Sequence, residues 1–88
     1  MEKLEIIEKL IYLLKLFQDI SGEEEVEISK STNPFDDLPG FDSYRAIEIT
    51  IEIQQALNCD KISEDVFLKN PQKTIEGYAT TIEKVLND

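Results

Sequence analysis

The chain has 88 residues, enough for one modest core and too few for separate cofactor and substrate domains. Its formal charge of −10, from 19 acidic and 9 basic residues, repels phosphate backbones and anionic lipid. That argues against nucleic-acid or membrane partners and for basic protein patches. With no histidine and one cysteine, Cys59, the chain cannot assemble a Ser-His-Asp triad, a Cys-His pair or a zinc cluster, so neither an enzyme nor a metal site is expected.

A lone cysteine cannot form an internal disulfide, and the N-terminal stretch lacks both a long apolar core and a small-residue cleavage site. The longest apolar run is Leu10 to Leu14. The expectation is a soluble, cytoplasmic protein.

From Glu2 to Ile20, Ile7, Leu10, Leu14 and Phe17 recur at helical spacing, with Ile6, Leu13 and Ile20 widening the stripe. Gly22 is the expected stop. Ser21 to Asp42 is rich in turn formers, and Pro34 and Pro39 bar a regular helix across it, so it reads as a long loop anchored by Val26, Ile28, Phe35 and Leu38.

The next segment is ambiguous. Ile47 to Ile53 reads Ile-Glu-Ile-Thr-Ile-Glu-Ile, the alternation of a half-buried strand, and β-branched residues favour that reading. Its only candidate partner, "EVEIS" at Glu25 to Ser29, is too short and charged for more than a marginal ribbon. At helical pitch, Ala46, Ile49, Thr50, Ile53 and Leu57 share one face instead, with Tyr44, Glu48, Ile51 and Gln55 opposite and Ile47 on the flank.

Past Leu57, "NCDKIS" is a connector. Ser63 caps a short helical turn through Val66 and Phe67 that Pro71 ends. Thr74 caps a last helix whose apolar side is Ile75, Tyr78, Ala79, Ile82, Val85 and Leu86. One domain, 1–88, is expected, with no internal repeat.

The order of elements and the stretch "NPFDDLPGFDSY" resemble the acyl carrier protein family over nearly the whole chain. Phe35, Asp37, Leu38, Gly40, Asp42 and Ser43 match that family's approach to its second helix. Ile62, Ser63, Glu64 and Asp65 match its approach to the third, and Thr74-Ile75 its entry to the fourth. The resemblance implies an all-α four-helix bundle of three longer helices and a short third one, with a long loop between the first two. It resolves the central segment as a helix.

It also implies that Ser43 accepts a 4′-phosphopantetheine arm, donated from coenzyme A by a phosphopantetheinyl transferase. The arm's thiol would hold acyl or aminoacyl groups as thioesters. Asp42 would cap the helix and shape the transferase's approach. Tyr44, Ile47, Glu48, Ile51 and Glu52 would face loading and downstream enzymes that carry basic docking patches, from a monomer with no catalysis of its own.

Several positions depart from the family pattern. Tyr44 stands where leucine is usual, Arg45 brings a positive charge near Ser43, and Gln54 and Gln55 replace frequent glutamates of fatty acid synthesis carriers. These point to a specialised lipid, polyketide or secondary-metabolite pathway. The small residues Ala46, Thr50 and Ala79 leave two uses open, plain packing or room for an acyl chain. Asp36 and Asp37 read as loop solvation and Cys59 as a packing residue. An unmodified acidic adaptor using Tyr44, Ile47, Glu48, Ile51 and Glu52 is the alternative.

Overall fold

A computed structural model describes residues 2–88. It contains five helices, α1 (Lys3–Ile20), α2 (Pro34–Asp37), α3 (Ser43–Leu57), α4 (Asp65–Leu68) and α5 (Ile75–Leu86), and no strand among the described residues. The expected helical bundle is present. One further short turn, α2, lies inside its long loop.

α1 packs against α5 and α3, and α4 closes against α3 and α5. The core runs from Ile6, Leu10 and Leu14 of α1 through Ala46, Ile49 and Ile53 of α3 to Ile75, Tyr78 and Ile82 of α5. Ile62, Val66 and Phe67 fill the corner, where the Phe67 and Tyr78 rings lie 4.7 Å apart. Burial pushes the Tyr78 phenol up to about 12, and the nearby Asp36 carboxylate acts in the same direction.

The alternating isoleucines divide as helical pitch requires. Ile49 and Ile53 are buried, whereas Ile47 and Ile51 are 41% and 48% exposed. One expectation for α1 fails, since Ile20 is 73% exposed. Seven residues beyond Leu13, it has rotated roughly 20° further off the core face, because two helical turns exceed seven residues.

α1 and α3 end alike. Gly22 (φ +68°) and Asn58 (φ 52°) take the left-handed conformation. At α1 the N–H groups of Gly22 and Glu23 return to Asp19 and Gln18, and at α3 those of Asn58 and Cys59 return to Gln55 and Gln54. This pairing satisfies carbonyls that a helix end would otherwise strand. Glycine signalled the first stop in the sequence. Asparagine, the other residue that tolerates this conformation, signalled the second less clearly.

In the loop, Pro34 starts α2 because a first-turn position needs neither its missing N–H nor any change in its φ. Asn33 N–H donates to Asp37 Oδ2 at 2.7 Å. Asp36 and Asp37 are exposed and belong to this turn. Ile28 and Leu38 are buried and Val26 and Phe35 half-buried, as anchors should be, and Phe41 and Thr32 join them.

The loop also reaches α5. Thr32 and Lys30 carbonyls accept the N–H groups of Ile75 and Glu76 at 2.9 and 3.0 Å, and Thr74 Oγ1 accepts that of Gly77 at 3.2 Å. Ser63 Oγ accepts from Asp65 N–H at 3.1 Å at the start of α4. Ala46, Thr50 and Ala79 are buried in the continuous core, and the Thr50 hydroxyl donates to Ala46 O at 2.8 Å. Among the described residues, no helix is long and apolar enough to cross a membrane.

Candidate functional site

The segment leading into α3 is pinned before it emerges. Phe41 N–H donates to Leu38 O at 3.2 Å around Pro39 and Gly40, and Gly40 has φ +76°. Proline second and a positive-φ glycine third is the arrangement of a type II turn. Gln18 Nε2 donates to Pro39 O at 3.2 Å, tying the turn to α1. Phe41 is buried and meets Phe35 edge-on at 4.9 Å. The chain therefore has little freedom until Asp42.

Asp42 has extended backbone, and its Oδ1 accepts Arg45 N–H at 2.9 Å while its carbonyl accepts Ala46 N–H at 3.0 Å. It is the helix cap that the sequence suggests. Ser43 follows as the first residue of α3 and is exposed. The N–H groups of Ser43 and Tyr44, two of the first-turn donors that a helix cannot pair internally, have no acceptor among the described residues.

The five serines differ in how their hydroxyls are used. Ser21 Oγ accepts from Arg45, Ser29 Oγ from Ser31 N–H and Ser63 Oγ from Asp65 N–H. Ser31 and Ser43 carry hydroxyls with no partner among the described residues, and of these two only Ser43 stands on a helix.

Beyond Ser43, Tyr44 is 76% exposed. With Ile47 and Ile51 it forms an apolar strip on the solvent side of α3, continued by the neutral Gln55 and flanked by the partly exposed Glu48 and Glu52.

Two departures from the family pattern prove to be internal ties. Arg45 does not project beside Ser43. Its side chain is only 16% exposed, its Nε lies 3.2 Å from Glu48 Oε1, its Nη2 donates to Ser21 Oγ at 2.6 Å, and its guanidinium lies 5.2 Å from the centre of the Phe17 ring. The cation therefore rests on the C-terminal end of α1, where the helix dipole favours it. Gln54 is half-buried and its Nε2 donates to Ile62 O, fastening α3 to the connector before α4. Gln55 alone is the neutral exposed residue that the sequence suggests. Cys59 is a free, half-buried thiol packed against the core.

The arrangement at Ser43 suits an anionic phosphodiester. It has an accessible hydroxyl, two open N–H groups and the positive end of a 15-residue helix. Among the described residues, no group of three or more potential ligating side chains could hold a metal ion.

A protein-family profile described as phosphopantetheine attachment site matches residues 12–82. No curated protein and no solved structure matches the chain. The chain belongs to the phosphopantetheine attachment family, whose members carry a covalently attached 4′-phosphopantetheine.

Proposed function

We propose that this member of the phosphopantetheine family bears its arm on Ser43 and serves as a single carrier domain, presenting an acyl or aminoacyl group to partner enzymes without catalysis of its own. The observation that supports Ser43 is its free hydroxyl at the start of α3, between a capping Asp42 and the unpaired N–H groups of Ser43 and Tyr44. In the transfer, Ser43 Oγ bonds to the phosphorus of the phosphopantetheine half of coenzyme A. The adenosine bisphosphate leaves, and the hydroxyl proton passes to a base on the transferase. Asp42 has a structural part in this reading, since its carboxylate holds the first turn in place while its charge shapes the transferase's approach.

The bound arm supplies a terminal thiol that holds acyl groups as thioesters. Tethering raises the local concentration of the carried group at whichever enzyme the carrier meets, while weak docking lets it leave again. Carriers of this family interact with a phosphopantetheinyl transferase and with partner enzymes. We assign their contact to Tyr44, Ile47, Glu48, Ile51 and Glu52.

An aromatic and isoleucine strip with thinned charge favours a dedicated set of enzymes over the general enzymes of fatty acid elongation. A monomer in the cytoplasm fits the reduced Cys59 and the acidic surface.

Incubation with coenzyme A and a broad-specificity transferase, followed by intact mass and peptide mapping, tests the assignment. One arm on Ser43 is the expected result. An unmodified protein, or an arm on Ser21, Ser29, Ser31 or Ser63, refutes it. Side-by-side turnover with elongation enzymes and with enzymes encoded nearby tests the specialisation, which fails if elongation runs as fast as with a standard carrier.

A further inference from the structure

Besides the face it turns to the core, α1 carries a second apolar row. Leu4, Tyr12, Leu16 and Ile20 stand on its solvent side, between 41% and 73% exposed. They fall at four-residue steps, interrupted once by Glu8, and so form one ridge about 24 Å long on the helix surface. Exposed apolar residues scattered singly are ordinary, whereas an aligned row is what one helix sets into the groove of another. The fold leaves this row uncovered, and it lies on a different helix from the strip beside Ser43.

The charges beside the row are free and patterned. Glu5 and Glu8 lie near its start, Lys9 and Lys15 lie on either side of Tyr12 at its middle, and Asp19 lies at its end. None of these side chains makes an ion pair among the described residues. The pattern argues against a second copy of this chain as the occupant. A parallel pairing sets each charge against itself, and an antiparallel pairing centred on Tyr12 brings Leu4 to Ile20 but also Glu5 to Asp19 and Lys9 to Lys15. Each copy also carries a formal charge of −10.

We propose that the outer face of α1 docks an amphipathic helix of a partner protein, one with an apolar row of the same spacing, basic residues towards both ends and an acidic centre. The partner's row packs against Tyr12, Leu16 and Ile20. Its basic ends meet Glu5, Glu8 and Asp19, and its acidic centre meets Lys9 and Lys15. Tyr12 stands at the middle of the row, where interfaces concentrate their aromatic anchors. The surface does not include Ser43, so the proposal holds whether or not that serine bears an arm.

The test titrates the full chain with two synthetic peptides as long as α1, stapled as helices and equal in composition and net charge. Both carry leucine at four-residue steps. One has its lysines at the ends and its glutamates at the centre, and the other has its glutamates at the ends and its lysines at the centre. The first should bind about tenfold more tightly, with amide shifts gathered at Tyr12, Leu16 and Ile20, and roughly 1 M salt should erase the difference. Tyr12→Ala should weaken the first peptide about tenfold while leaving the circular dichroism spectrum unchanged, a loss that attraction by charge alone would not produce. No binding, equal affinity for the two peptides, shifts centred on Tyr44 and Ile51, or full affinity in Tyr12→Ala overturns the proposal. So does self-association that Tyr12→Ala abolishes, which assigns the face to a second copy, or flotation with phosphatidylcholine vesicles, which assigns it to lipid.

Discussion

α3 and α5 begin in the same way and are completed differently. Each has a capping side chain that accepts the N–H three residues on, Asp42 from Arg45 and Thr74 from Gly77. At α5 the two N–H groups in between, of Ile75 and Glu76, are taken by the loop carbonyls of Thr32 and Lys30. At α3 the corresponding pair, of Ser43 and Tyr44, meets no acceptor among the described residues. The closed start also lies over the core, with Ile75 and Tyr78 buried, whereas the open start shows Ser43 and Tyr44 to solvent. Helix ends left unpaired forgo stability, and the same unpaired groups suit an anion. One start serves the fold. The other is free to take a phosphate.

The largest expected effect divides the two starts outright. Ser43→Ala should abolish addition of the arm while leaving the helical circular dichroism spectrum unchanged, because an exposed hydroxyl without a partner holds nothing in place. Thr74→Ala at the closed start should leave the mass gain intact. A modified Ser43→Ala protein would break the comparison.

The next effect belongs to the closed end alone. The Tyr78 hydroxyl donates to Asn70 O at 2.6 Å, joining α5 to the segment after α4. Its pKa is raised from 10.0 to about 12 chiefly by burial, so the folded state favours the neutral phenol. The contribution is complete below pH 10 and is lost as pH rises through about 12. Unfolding melts should fall steeply across that window. Tyr78→Phe should flatten the fall at a cost of about 1 kcal/mol at neutral pH for the lost hydrogen bond. An unchanged pH profile in Tyr78→Phe would assign the alkaline loss to another group.

How far this contrast was legible in the sequence depends on which chemical groups carry it. Asp42 and Thr74 announce themselves as caps through their side chains, and the amphipathic pattern placed α1 and α5. At α4 the cap position falls on Glu64, and the expected cap Ser63 instead closes the turn before it onto Asp65 N–H. The alternating isoleucines did not decide between strand and helix, because Ile47, Ile49, Ile51 and Ile53 fit both periods. Only the surroundings, two neighbouring helices and no partner strand, sort two of them inward and two outward.

The closure of α5 is made by backbone carbonyls of Lys30 and Thr32, which every residue has, so nothing in the sequence marks it. The inward fold of Arg45 and the ties made by Gln18 and Gln54 are equally silent, since a long polar side chain reads as surface until a specific carbonyl or ring lies within reach. Pro39 and Gly40 stand in a stretch that reads only as turn-rich loop, and the type II turn they form sets where Ser43 emerges.

Cap substitutions sharpen the comparison by separating stability from modification. Asp42→Ala and Thr74→Ala should each cost about 1 kcal/mol. For a domain of this size that is roughly 4–8 °C in Tm. Only the first should also slow transfer of the arm. Asp42→Asn keeps a capping oxygen and removes the charge, so its stability should stay within a few tenths of a kcal/mol. If its modification rate is also unchanged, Asp42 is a cap and nothing more.

The smallest effect is expected on the exposed face that the open start introduces. Tyr44 and Ile51 present apolar surface there, and anchors of that kind govern how long a complex lasts, whereas peripheral carboxylates govern mainly how fast partners meet. Glu48 offers a partner less free charge than its position suggests, because Arg45 sits 3.2 Å away and is held by Ser21 and Phe17. Much of its charge is already answered inside the molecule. Glu52 has no such ion-pair partner among the described residues and offers the freer charge. Transfer from the cognate loading enzyme should therefore slow most with Tyr44→Ala and Ile51→Ala, less with Glu52→Gln and least with Glu48→Gln. Glu48→Gln should also cost about 1 kcal/mol of stability, more than a fully exposed pair would, because the Arg45 side chain it meets is only 16% exposed. Salt titration provides the check, since the Glu52→Gln protein should lose part of the salt dependence of the encounter and the Glu48→Gln protein should keep it. If Glu48→Gln slows transfer as much as Tyr44→Ala, then Arg45 releases Glu48 on docking, and the clamp between α1 and α3 is part of recognition.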